Sequence, residues 1–163
     1  MAAPATTTSF QSSTKEGEIE RKYKFGRTLG SGTFATVKQA TCLKDSTKWA
    51  VKVIKRSALT SEDEESLKME IQILGLTHHP NIVSVKEVFY SKSFVYLVMD
   101  IMTGGELFDR IVSKAHYTEK EARDLIKSLL ETLNYMHTVG GKFCCCCCCV
   151  VVVVVVVVGV VVV

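Results

Sequence analysis

Tyr23 to Leu29 alternates loosely between apolar and polar positions and runs into Gly30-Ser31-Gly32, a period-two segment ending in a glycine turn. Ala35 to Cys42 reads as the returning strand, and Lys48 to Lys55 as a third, β-branched and bounded by polar residues. Three such segments in succession predict an antiparallel meander. The period then changes. Leu67, Ile71 and Leu74 fall at helical spacing, Ser61 with Glu64 forms a candidate capping box ahead of them, and Gly75 lies near the stop. His79-Pro80-Asn81 breaks that helix. Ile82 to Tyr90 and Ser93 to Met99 predict two more strands joined by a short polar turn. Thr103-Gly104-Gly105 reads as a loop, Glu106 to Val112 as a short helix, and Thr118 with Glu121 as a second capping box. Ala122, Leu125, Ile126, Leu129, Leu130, Leu133 and Met136 then mark a long amphipathic helix to about Thr138. The expected class is α+β: a five-stranded antiparallel sheet with one packed helix, followed by further helices.

The two ends break this pattern. Residues 1–18 are rich in Ala, Thr, Ser and Gln without apolar periodicity, which predicts a segment that does not order itself. Residues 144–163 are Cys and Val alone, apart from Gly159. Their length suits a membrane-spanning helix, but a valine run is a poor helix former and a strong β-aggregator. It also lacks an aromatic belt. A repeated TGT triplet reads as cysteine in one frame and as valine (GTT) in the next. One loss of phase therefore gives cysteines followed by valines, and one base change gives Gly159. The tail is expected to be translated repeat, with a membrane anchor as the alternative. A transcript showing a Cys-to-Val codon boundary without a phase change would exclude the repeat.

Charge and cysteine usage narrow the picture. The net charge is only +3 and the basic residues are dispersed, so no footprint for nucleic acid is present. Six of the seven cysteines lie in the run from Cys144 to Cys149, leaving Cys42 alone in the globular part. A lone thiol suits a reducing compartment. No apolar leader follows Met1, and Ala2 stands where N-myristoylation requires glycine. A cytoplasmic location is expected, with membrane association through the tail as the alternative.

Two constellations carry candidate chemistry. Glycines at 30 and 32 let a backbone turn approach phosphate oxygens, although a plain hairpin uses glycine too. A strand follows the turn, which disfavours a Rossmann reading. On the third strand Ala50, Lys52 and Ile54 share one face, and Trp49, Val51 and Val53 the other. A lysine inside an apolar strand is costly unless paired, or unless it snorkels from an edge. Glu70 borders the apolar seam of the following helix, so a helix packed on the sheet brings it within reach of Lys52.

Taken together these features resemble the protein kinase family. The glycine-rich loop is Gly30-Ser31-Gly32-Thr33-Phe34-Ala35-Thr36-Val37, with Ala35 at the third glycine position. The strand lysine sits in Ala50-Val51-Lys52, and the helix glutamate is Glu70. His79-Pro80-Asn81-Ile82-Val83, a hinge at Tyr96-Leu97-Val98-Met99-Asp100 and Gly104-Gly105-Glu106-Leu107-Phe108-Asp109 follow in family order. The set looks most like the calcium/calmodulin-dependent group of Ser/Thr kinases and covers about Tyr23 to His137. The resemblance implies an N-lobe at 19–102, the start of a helical C-lobe at 103–143 and a truncation there. It implies ATP as the nucleotide, protein hydroxyls as phosphoryl acceptors and magnesium as the family's metal. Gly30, Ser31, Gly32, Thr33, Phe34 and Ala35 would cover the phosphates. Leu29, Val37 and Ala50 would sandwich the adenine, and Lys52, oriented by Glu70, would hold the α- and β-phosphates. Met99 would be the gatekeeper, the Asp100 carbonyl and Met102 amide would meet the adenine edge, and Glu106 would approach the ribose.

After His137 the sequence runs Thr138-Val139-Gly140-Gly141-Lys142-Phe143 into the tail. No His-Arg-Asp loop, downstream Asn or Asp-Phe-Gly segment is present in these residues, and those groups position the hydroxyl and hold magnesium in the family. The expectation is an ATP-binding portion that does not transfer phosphate. A non-catalytic nucleotide-binding or docking module and a membrane-tethered fragment are the alternatives. The uncovered apolar face of the long helix is an expected aggregation hazard.

Overall fold

The computed structural model describes residues 11–13, 17–32, 35–102, 112–114 and 116–139. The β-branched run Lys48–Lys55 (β4) lies inside the sheet, with Ala35–Cys42 (β3) antiparallel on one side and Phe94–Met99 (β6) antiparallel on the other. Tyr23–Ser31 (β2) closes one end against β3, and Val85–Tyr90 (β5) pairs antiparallel with β6 at the other. These are the five expected antiparallel strands. A sixth, Gln11–Ser13 (β1), adds to the β5 edge in parallel, giving the order β1-β5-β6-β4-β3-β2. It falls in the segment expected to lack order. Composition missed it because three residues need no periodicity when an existing edge supplies their hydrogen bonds. The helix Glu18–Lys22 (α1) leads directly into β2.

Both faces of the sheet are covered, and alternation along β4 decides which residue goes where. Ala50 and Ile54 join Val37, Val88, Leu97 and Met99 on the face that meets Ile71 of the helix Ser61–Leu76 (α2). Val51 faces the other way, into a cluster with Ile19, Tyr23, Phe89 and Val98. Leu97, Val51, Val88 and Val98 are fully buried, and each such side chain contributes roughly 1.5–3 kcal/mol relative to exposure.

The cap of α2 differs from the expectation by one residue. Thr60 is the N-cap, its hydroxyl accepts from the Asp63 amide at 3.2 Å, and Asp63 accepts from the Thr60 amide at 2.9 Å. Asp63 reaches back as well as glutamate does, so the box starts one residue before Ser61. The helix passes Gly75 and ends at Leu76. Ile82 and Val83 are buried but precede the ladder, which begins at Val85 rather than Ile82. The long helix Glu119–Val139 (α3) begins at the expected box, with the Thr118 amide donating to Glu121 at 3.0 Å and the Glu121 amide donating to Thr118 Oγ1 at 3.3 Å. Glu106 and the residues after it up to Ile111, expected as a short helix, lie outside the described residues, as does the tail from 144. Among the described residues no helix is long and apolar enough to cross a membrane.

Candidate nucleotide site

Lys52 is placed by its strand. Its neighbours across the ladder are Val37 on β3 and Leu97 on β6, so it stands in the middle of the sheet on the face that packs against α2. Glu70 is placed by its helix, between Leu67 and Leu74, both packed against that same face. The two meet: Lys52 Nζ lies 3.5 Å from Glu70 Oε1. Their side chains keep 28% and 33% of their exposure, and an ion pair this wet contributes about 0–1 kcal/mol. Stability therefore does not account for a lysine in the apolar strand. The pair fixes the direction of an ammonium that still reaches solvent.

Several of the other expected residues share the face that bears this pair. Val37, Ala50 and Met99 are buried in the cluster on the α2 face, with Leu29 packed against it. Ala50 and Met99 are direct cross-strand neighbours, as are Gly30 and Val37. Ser31 pairs with Thr36, and the Gly32 amide donates to the Ala35 carbonyl at 2.8 Å, so the glycine segment closes a hairpin between β2 and β3. Thr33 and Phe34 at its tip lie outside the described residues, as does Glu106. The Asp100 amide donates to the Ser84 carbonyl at 3.2 Å, and Met102 is exposed at the end of the described stretch. Apolar walls at Leu29, Val37, Ala50 and Met99 with one paired ammonium could hold a flat base and its phosphates. Among the described residues no group of three or more His, Cys, Asp or Glu side chains stands together as metal ligands.

What holds Glu70 in place was not read from the sequence. At the start of α2, Arg56 Nη2 lies 3.0 Å from Glu64 Oε1, and Arg56 also donates to the Ser91 carbonyl at 3.4 Å. At its end, Ile73 packs with Ile82 and Met136, joined by Leu74 and Tyr135. The His78 amide donates to Tyr135 Oη at 2.7 Å, Asn81 Nδ2 to Thr132 Oγ1 at 3.2 Å, and the rings of His79 and Tyr135 lie 5.0 Å apart. Thus α2 carries two apolar faces, one on the sheet and one on α3. The signal was the extra isoleucine at 73, out of step with the 67-71-74 seam.

A sheet of five antiparallel strands with one helix against its lysine-bearing face, followed by a helical segment, is the upper lobe of a protein kinase with the start of the lower one. Residues 23–143 match the family model of the protein kinase domain, and the chain belongs to that family. It is 42% identical over 120 residues to myosin light chain kinase A of Dictyostelium discoideum, covering 74% of this chain and 41% of that protein. It is 45% identical over 123 residues to calcium/calmodulin-dependent protein kinase type 1 of Macrobrachium nipponense, covering 75% and 35%. The Caenorhabditis briggsae protein of the same name is 47% identical over 123 residues, covering 75% and 34%. The chain thus spans about a third to two fifths of the length of these curated relatives.

Proposed function

We propose that this chain is the ATP-binding portion of a Ser/Thr protein kinase. The observation that carries the reading is the Lys52–Glu70 pair at 3.5 Å on the face that also holds Val37, Ala50 and Met99. In this reading Leu29, Val37 and Ala50 enclose the adenine, with Met99 as gatekeeper. The Asp100 carbonyl and Met102 amide meet the adenine edge. The backbone of the Gly30–Val37 loop covers the phosphates. Glu70 orients Lys52, whose ammonium contacts the α- and β-phosphates. Glu106 approaches the ribose. Relatives named as myosin light chain kinase and calcium/calmodulin-dependent kinase support protein hydroxyls as the acceptors in the full domain.

A polypeptide of these 163 residues holds no Asp-Phe-Gly and no His-Arg-Asp. It therefore binds ATP without positioning a hydroxyl or neutralising the transferring phosphate, the two effects on which phosphoryl transfer mainly depends. The test is binding of a fluorescent ATP analogue, competed by ATP, to the 163-residue chain. Lys52→Ala removes a charge-assisted bond to phosphate, which costs about 1.5–3 kcal/mol, roughly a ten- to hundredfold weaker Kd. Absence of binding by a folded wild-type chain, or equal binding by Lys52→Ala, refutes the reading. Turnover of a peptide substrate that vanishes in Lys52→Ala refutes the inactivity.

A further inference from the structure

Among the described residues two ion pairs tie α2 to β4 and the turn that follows it. The inner pair is Lys52 with Glu70. Its 3.5 Å separation is longer than a hydrogen bond, so a small outward movement of α2 breaks it. The outer pair is tighter. Arg56 directly follows β4, four residues after Lys52, and its Nε and Nη2 reach Glu64 Oε1 at 3.1 Å and 3.0 Å. Arg56 is itself fixed to the turn between β5 and β6. Its amide donates to the Ser93 carbonyl at 2.9 Å, and its Nη1 to the Ser91 carbonyl at 3.4 Å. That turn is closed in its own right: the Ser91 amide donates to the Phe94 carbonyl at 2.9 Å, and the Phe94 amide to Ser91 Oγ at 2.9 Å. The planar guanidinium therefore presents its fork to α2 from a fixed base. Asp63 is taken up by the Thr60 amide and hydroxyl, which leaves Glu64 as the carboxylate that meets the fork.

Glu64 lies six residues before Glu70 on one uninterrupted helix, about 9 Å along its axis. Over that span a helix moves as a unit, so the point at which Glu64 is held decides where Glu70 arrives. We propose that Arg56 is a positioning residue: through Glu64 it seats α2 at the depth that brings Glu70 to Lys52, and it thereby tunes the hold on phosphate without changing the hold on the base. The proposal rests on the ATP-binding function proposed for this site. The division between phosphate and base follows from the fold. Leu29, Val37, Ala50 and Met99 belong to β2, β3, β4 and β6, and none of them stands on α2. A displaced α2 therefore reaches the nucleotide through Lys52 and not through the walls around the adenine. Arg56 and Glu64 are both partly exposed, and a pair of that kind shifts an equilibrium by about two- to fivefold. The effect is a graded one rather than an on–off switch.

The test measures Kd for ATP and for adenosine on the 163-residue chain and on Arg56→Gln, Glu64→Gln and the double variant. Salt is held at about 0.15 M, where fields beyond about 8 Å are largely screened. Each single variant should bind ATP about two- to fivefold more weakly, with adenosine binding unchanged. The double variant should be no worse than either single, because both substitutions break one pair. Adenosine binding also reports that the pocket is folded. The two singles change the net charge in opposite senses. A field effect alone would therefore weaken ATP binding in Arg56→Gln and strengthen it in Glu64→Gln, whereas lost positioning weakens both. Wild-type ATP affinity in either single, effects of opposite sign, losses that add in the double variant, or an equal loss for adenosine each overturns the proposal. Lys52→Ala, measured alongside, should erase the advantage of ATP over adenosine. If Lys52→Ala erases it and Arg56→Gln leaves it intact, the positioning role fails and ATP binding stands. If Lys52→Ala leaves it intact, the ATP-binding function fails and the positioning role with it.

Discussion

At the scale of single residues, the turn between β3 and β4 shows how one carboxylate can set a local pH dependence. Asp45 accepts from the Thr47 hydroxyl at 2.5 Å and from the Thr47 amide at 3.0 Å. The hydroxyl bond first, then the amide bond, lower its pKa from 3.8 to about 2. These bonds hold a tight turn in which Ser46 adopts a left-handed φ of 60°, a conformation few non-glycine residues take. Because the folded value is depressed, the stabilisation is fully present above about pH 4 and is lost as pH falls through about 2. The Thr47 amide resonance should therefore titrate within that window, and Asp45→Asn should abolish the titration. A Thr47 shift that stays flat from pH 5 to pH 2 would contradict the assignment. The glycine hairpin and the Lys52–Glu70 pair were legible at this scale because family motifs and strand alternation both mark them. Asp45 was not, since an Asx turn is read only when its partner two residues on is noticed.

The helix α2 is the element on which the site depends, because it carries Glu70. Thr60 caps it, and Thr60→Ala should cost about 1 kcal/mol. For a domain of this size that lowers Tm by a few degrees, a shift measurable by circular dichroism. Its other end is pinned by α3, and the two ends separate stability from positioning. Tyr135→Phe keeps the ring against His79 and removes only the hydroxyl that accepts from the His78 amide. Losing that single bond should cost about 0.5–1.5 kcal/mol. Exchange of the last-turn amides of α2 should quicken while those of the first turn hold. Uniform quickening along the helix would show that Tyr135 acts on global stability instead. Strand and helix positions were readable from period two and period 3.6, and β3 and β4 begin and end where the pattern placed them. Contact between α2 and α3 was hidden, since periodicity gives each helix a face but does not name the element it meets. The strand β1 was hidden for a related reason: its partner is an edge, and nothing in Gln-Ser-Ser announces one.

At the scale of the whole molecule, α3 has one packed side and one exposed apolar stripe. Its Met136 and Thr132 are buried toward α2 and the loop at Asn81. On its outer side Ile126 and Leu130 keep 52% and 59% of their exposure, one turn apart on one face. Isolated exposed leucines are ordinary, but two aligned at i and i+4 form a stripe that another apolar surface can cover. The charges beside them, Lys127 paired to Glu131 at 3.8 Å and Arg123 to Asp124 at 3.8 Å, neutralise one another and offer no net repulsion between copies. Self-association through this stripe is the expected consequence, and it can be separated from stability. Replacing both residues (Ile126→Gln with Leu130→Gln) removes little buried area, so Tm should hold within a degree or two. Meanwhile the weight-average mass in sedimentation at rising concentration should fall toward that of the 18.0 kDa monomer. A variant that still associates as strongly would place the sticky surface elsewhere. One that loses several degrees of Tm would show that the stripe is already packed against the chain itself, which the exposure of both side chains argues against.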